Sequence, residues 1–89
     1  MAARVIVITG AFGVLGSAVA KAAAAQGAEL ALVDYAPAPQ GPDASPDGGL
    51  VLGGVDLADQ VKASAAMAAV GERYGRIDAL LNIAGGFTW

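Results

Sequence analysis

Residues 9–16 read Thr-Gly-Ala-Phe-Gly-Val-Leu-Gly and follow directly on the β-branched run Val5-Ile6-Val7-Ile8. Glycines 10, 13 and 16 at the end of a buried strand suit a chemistry of main-chain groups rather than of side chains. The chain must turn sharply, admit a phosphate to its backbone and start a helix packed close to the strand. Each step favours a residue without Cβ. The helix that follows offers free N–H groups and the positive end of its dipole to an anion. No acidic residue occurs between Met1 and Gln26, so nothing in this stretch repels a phosphate. In outline, this is a seat for the pyrophosphate of a dinucleotide.

Three further positions could complete such a site. Asp34 closes the apolar run 29–33. A carboxylate there can accept from the 2′- and 3′-hydroxyls of an adenosine ribose and would repel a 2′-phosphate, which selects NAD over NADP. No Lys or Arg stands beside it in sequence to reverse that choice; its plain alternative is a solvated residue at a strand end. Asp56-Leu57 follows a third apolar run, where Asp56 reads first as a helix cap, with a second role at the adenine edge left open. Asn82-Ile83-Ala84-Gly85-Gly86 ends a fourth run. Its small residues would let a nicotinamide ribose approach the main chain, and the Asn82 amide could tie neighbouring strands together.

The elements that must position these residues are legible from periodicity and from Gly and Pro punctuation. The first strand is expected over about 4–9 and an alanine-rich helix over about 14–26, with Gly27 at its C-terminus. The second strand covers 29–34. Residues 35–49 carry Pro37, Pro39, Pro42 and Pro46, which forbid a regular helix and make an unusually long loop. A short third strand follows at 50–55, then a helix over 57–74 capped by Asp56 and ended by Gly75, then a fourth strand over 78–84. Strands separated by crossovers imply an α/β fold with a doubly wound parallel sheet of order 3-2-1-4. The ligand then belongs at the carboxyl ends of the strands, where the order reverses between strands one and four.

Composition narrows the function classes. The chain has 89 residues, 56% hydrophobic and 15% charged, with a net charge of −3. So apolar a sequence needs more partner surface than one small domain provides. That predicts the N-terminal part of a longer protein, or a chain that assembles with others. The acidic balance argues against nucleic acid and anionic membranes. The absence of Cys and His removes thiolate chemistry, disulfides and the usual zinc sites. Met1-Ala2-Ala3-Arg4 leads straight into the first strand with no room for a signal peptide, so the expected compartment is the cytoplasm.

Taken as a set, Thr9-Gly10-x-x-Gly13-x-x-Gly16, Asp34, Asp56-Leu57 and Arg76-Ile77-Asp78-Ala79-Leu80-Leu81-Asn82-Ile83-Ala84-Gly85 resemble the short-chain dehydrogenase/reductase family, over nearly all of this chain but only about the first third of a typical member. The resemblance implies a Rossmann fold in which Gly10, Phe12, Gly13, Leu15 and Gly16 hold the pyrophosphate. It also implies that Asp34 selects NAD, that Asp56 and Leu57 flank adenine, and that Asn82, Ala84 and Gly85 line the nicotinamide-side ribose. The implied activity is hydride transfer between NAD(H) and a small alcohol/carbonyl substrate in a dimeric or tetrameric enzyme.

Several departures qualify the likeness. The glycine spacing is that of the family's extended branch, since Val14 stands where the short branch usually has glycine, and Ile83 replaces a second asparagine. The proline-rich loop takes the place of the helix normally found between strands two and three. The family's catalytic serine and Tyr-x-x-x-Lys pair have no counterpart, because Tyr35 and Tyr74 are followed four positions on by Pro39 and Asp78. Tyr74 is expected to pack the second helix onto the sheet, and Lys21 and Lys62 to face solvent. Two other readings stay open: a regulatory module that binds NAD(H) without chemistry, and an extended-branch nucleotide-sugar epimerase or dehydratase.

Overall fold

A computed structural model describes residues 3–39, 45–46 and 48–83. The elements run β1 (Val5–Thr9), α1 (Val14–Ala25), β2 (Glu29–Val33), β3 (Leu50–Leu52), α2 (Gln60–Tyr74) and β4 (Ala79–Asn82). The strands form one parallel sheet of order β3-β2-β1-β4, the order expected from the crossovers.

The run of apolar residues in β1 and β2 is explained by burial on both faces. Val5, Val7, Ala31 and Val33 face α2 and enclose Val70 from it. Ile8, Leu30 and Leu32 face α1 and meet Ala20 and Ala11. Each large side chain removed from water in this way contributes about 1.5–3 kcal/mol. β4 lies at the edge and its faces are less covered, with Leu80 56% exposed beside the fully buried Val7. No helix among the described residues is long and apolar enough to cross a membrane.

Two sequence expectations change here. Asp56 does not cap α2. That helix starts at Gln60 with Asp59 as its N-cap, whose side chain accepts from Val61 N at 2.9 Å and Lys62 N at 3.3 Å. Asp56 instead accepts from Ala58 N at 2.9 Å while its carbonyl accepts from Asp59 N at 3.0 Å. A short acid that bonds the backbone two residues ahead makes a turn of its own and delays the helix. β3 also stops at Leu52, short of residue 55, because Gly53-Gly54 ends the regular ladder, with φ of 68° at Gly54. The remaining boundaries move less: Gln26 caps α1 rather than ending it, Asp34 lies just past β2, and the expected end of strand four falls partly outside the described residues.

Candidate functional site

The first crossover brings a turn, a helix start and an acid together. At the end of β1 the chain reverses at Gly10, whose φ of 67° suits a residue without a side chain. α1 then returns so closely that a Cβ on Gly16 would lie 2.8 Å from Ala11 Cα and closer still to Gly10 O. Glycine at 16 is therefore a packing requirement. Gly13 is different. It is the N-cap of α1, offers no side-chain hydrogen bond, and a Cβ there would meet only Gly10 O at 3.7 Å. With no acidic residue in its first turn, α1 presents main-chain N–H groups in an open, electropositive mouth. Val14 is 92% exposed and Leu15 is 53% exposed at the same mouth.

Asp34 meets this turn directly. Its Oδ2 accepts from Phe12 N at 2.9 Å and its Oδ1 from Ala36 N at 3.1 Å. A carboxylate has about four lone-pair sites, so two backbone donors leave room for two hydroxyl donors. A cavity of about 350 Å³ is lined by Gly10, Asp34, Tyr35, Val55, Asp56, Leu57 and Ala58. That size lies within the usual range of ligand pockets. A larger groove of about 500 Å³ between β3 and α2 has Lys62 as its one polar side chain and shares only Val55 with this cavity.

Of the residues singled out from the sequence, Gly10, Asp34, Asp56 and Leu57 thus border one cavity, and Phe12 is bonded to its carboxylate. Gly13, Leu15 and Gly16 surround the start of α1. Asn82 stands at the end of β4, opposite Thr9 of β1, and its Oδ1 accepts from the Thr9 hydroxyl at 2.7 Å. The two strands flanking the reversal of order are therefore tied by side chains at their carboxyl ends. Ala84 and Gly85 lie outside the described residues. Tyr35 borders the cavity and is 73% exposed, a position sequence reasoning considered only as a failed catalytic tyrosine. Its place immediately after Asp34 was the available signal. Lys21 and Lys62 are exposed, as expected.

An adenine dinucleotide fits the donor set of this site: unopposed amides for a pyrophosphate, an accepting carboxylate for a ribose, and a cavity beside both. Residues 4–89 match the family model for short chain dehydrogenase. The chain belongs to the short-chain dehydrogenase family. Among curated relatives, it is 39% identical to levodione reductase of Leifsonia aquatica over 90 residues, covering 92% of this chain and 33% of that protein. It is also 39% identical to meso-2,3-butanediol dehydrogenase of Serratia marcescens over 84 residues, covering 92% and 34%. A short-chain dehydrogenase/reductase from Sinorhizobium meliloti 1021 superposes with a TM-score of 0.75 at 30% identity, over 98% of this chain and 42% of that one. The chain therefore spans about a third of the length of the curated relatives it matches.

Proposed function

We propose that this chain is the cofactor-binding N-terminal portion of an NAD-dependent short-chain oxidoreductase, which moves hydride between NAD(H) and an alcohol/carbonyl substrate. The observation that carries the reading is the Asp34 carboxylate held 2.9 Å from the Phe12 amide, inside the glycine turn. An acid at that point can accept from ribose hydroxyls, whereas a 2′-phosphate would face its charge. When bound, NAD supplies or receives the hydride; the residues of this chain bind and orient it. The Gly10 turn and the N–H groups at the start of α1, around Gly13, Leu15 and Gly16, take the pyrophosphate while the Phe12 amide holds Asp34. Asp56 and Leu57 border the adenine, and Asn82 with Ala84 and Gly85 lines the nicotinamide-side ribose.

The names of the relatives, a reductase of levodione and a dehydrogenase of meso-2,3-butanediol, support a small alcohol/carbonyl pair as substrate. In this reading, residues 1–89 form part of a single Rossmann domain with residues 35–49 as a loop within it. The catalytic serine and Tyr-x-x-x-Lys pair lie elsewhere in a longer protein, which works in the cytoplasm as a homo-oligomer. Coverage of only a third of each curated relative and a composition of 56% hydrophobic residues are consistent with this.

Titration of NAD and NADP against wild type and Asp34→Ala tests the proposal. NAD binding is expected to weaken by about tenfold or more, the worth of a hydrogen bond to a charged group, while NADP binding holds or improves. An unchanged preference between the two dinucleotides would remove Asp34 from the ribose and the NAD assignment with it.

A further inference from the structure

The segment that leaves β2 does not diverge from β3 at once. Asp34 N–H donates to Leu52 O at 3.1 Å, Val55 N–H to Asp34 O at 3.0 Å and Gly54 N–H to Ala36 O at 3.0 Å. These bonds continue the pairing of the two strands past their last ladder residues and lay 34–38 against 52–55. The approach is tightest at Gly53. A Cβ there would stand 2.8 Å from Ala38 Cα and 2.9 Å from Ala38 Cβ, and nearer still to Ala38 N. Because backbone atoms are involved, no rotamer change relieves the clash, and the segment itself would have to move. The φ of Gly53 is not positive, so its conformation is open to other residues. Space is the reason for glycine.

What that segment carries is Asp34. The Ala36 N–H donates to Asp34 Oδ1 while the Ala36 carbonyl accepts from Gly54, so the carboxylate is linked to the end of β3 through one residue. From the opposite side the Phe12 amide holds Oδ2. The acid is thus fixed between the glycine turn of the first crossover and the Gly53-Gly54 pair behind it.

We infer that Gly53 is a positioning residue for dinucleotide selectivity: its bare Cα lets the segment after β2 lie close enough to hold the Asp34 carboxylate at the Phe12 amide. This rests on the reading of Asp34 as the ribose ligand. Gly53 touches neither the turn nor the cavity beside Asp34, and acts only through where Ala36 and Ala38 lie.

The test is calorimetric binding of NAD and NADP to the full chain carrying Gly53→Ala, beside wild type, Asp34→Ala and Gly71→Ala. Gly71 lies within α2, where a Cβ meets nothing within 4 Å, so it exchanges a glycine without touching the segment after β2. Gly53→Ala is expected to lose about tenfold in NAD affinity and less than about twofold in NADP affinity, whereas Gly71→Ala keeps the wild-type preference. A folded Gly53→Ala with the wild-type preference overturns the inference, even with a lowered Tm, because a purely structural glycine would weaken both dinucleotides alike. If Gly53→Ala does not fold, Gly54→Ala decides the matter. It meets no atom within 4 Å but strains a φ of +68° in the residue bonded to Ala36. A narrowed preference there supports the inference and an unchanged one overturns it. The two levels separate cleanly. Wild type binding neither dinucleotide overturns the cofactor reading and this inference together, while a narrowed preference in Asp34→Ala but not in Gly53→Ala overturns the role of Gly53 alone.

Discussion

At the end of the sheet where the strands begin, side chains clamp backbone. Asp78 Oδ2 accepts from Val5 N at 2.7 Å, Asp78 N–H returns a bond to Val5 O at 2.8 Å, and Arg76 pairs with the same carboxylate. One strand pair over, the Tyr74 hydroxyl donates to Leu30 O at 2.6 Å and accepts from Leu50 N at 3.1 Å. At the end where the strands finish, glycine turns, an uncapped helix and the acid Asp34 leave donors and acceptors with capacity to spare. The five residues of β1 separate an end whose polar groups are taken up by the fold from one where the Asp34 carboxylate and the start of α1 keep hydrogen-bonding capacity beyond what the fold uses. A rigid scaffold carrying function on its loops is built this way.

The most damaging change should come from the finishing end, at the position where packing leaves least room for a side chain. Gly16→Ala forces α1 away from the Gly10 turn, and we expect a loss of about 3 kcal/mol in urea or thermal unfolding. Wild-type stability in that variant would break the account of the turn as closely packed. Tyr74→Phe should cost about 2 kcal/mol, because it removes both hydrogen bonds of the hydroxyl, the one it donates to Leu30 O and the one it accepts from Leu50 N. Since it lies at the starting end, NAD affinity should hold, and a tenfold loss would show that the two ends are not separate.

Asp78→Asn should have the smallest effect, visible only against pH. The hydrogen bond from Arg76, followed by that from Val5 N–H, holds the Asp78 carboxyl below its ordinary value of 3.8. A lowered carboxyl adds stability that is fully present above that value and disappears as pH falls through the lowered one. Wild type should therefore melt slightly above Asp78→Asn at neutral pH, and the two should converge below pH 3.8. A constant gap from pH 7 to pH 2 would assign the effect to packing. The size stays small because the pair is open to solvent.

Much of this arrangement could be read from residue order. The β-branched run of β1, the alanines of α1 and the acid after β2 were enough for the sheet order and for bringing Asp34 to the glycine turn. Tyr74, expected to pin the second helix to the sheet, does so through its hydroxyl. Local ambiguity hid the helix start, since Asp56 and Asp59 both suit a cap and only the path of the chain after Gly53-Gly54 chooses between them. Distance in sequence hid the rest. That Phe12 N–H bonds Asp34, or that Gly53 must be bare because Ala38 crosses it, follows from how two loops meet and leaves no periodicity to find.

The Tyr74 phenol has one more consequence. It sits on the last residue of α2 yet holds the first residue of β3, so the second crossover is a ring fastened at its base. A strand of three half-buried residues has little grip of its own. We therefore expect the amides of β3 and of the last turn of α2 to exchange with solvent at similar rates.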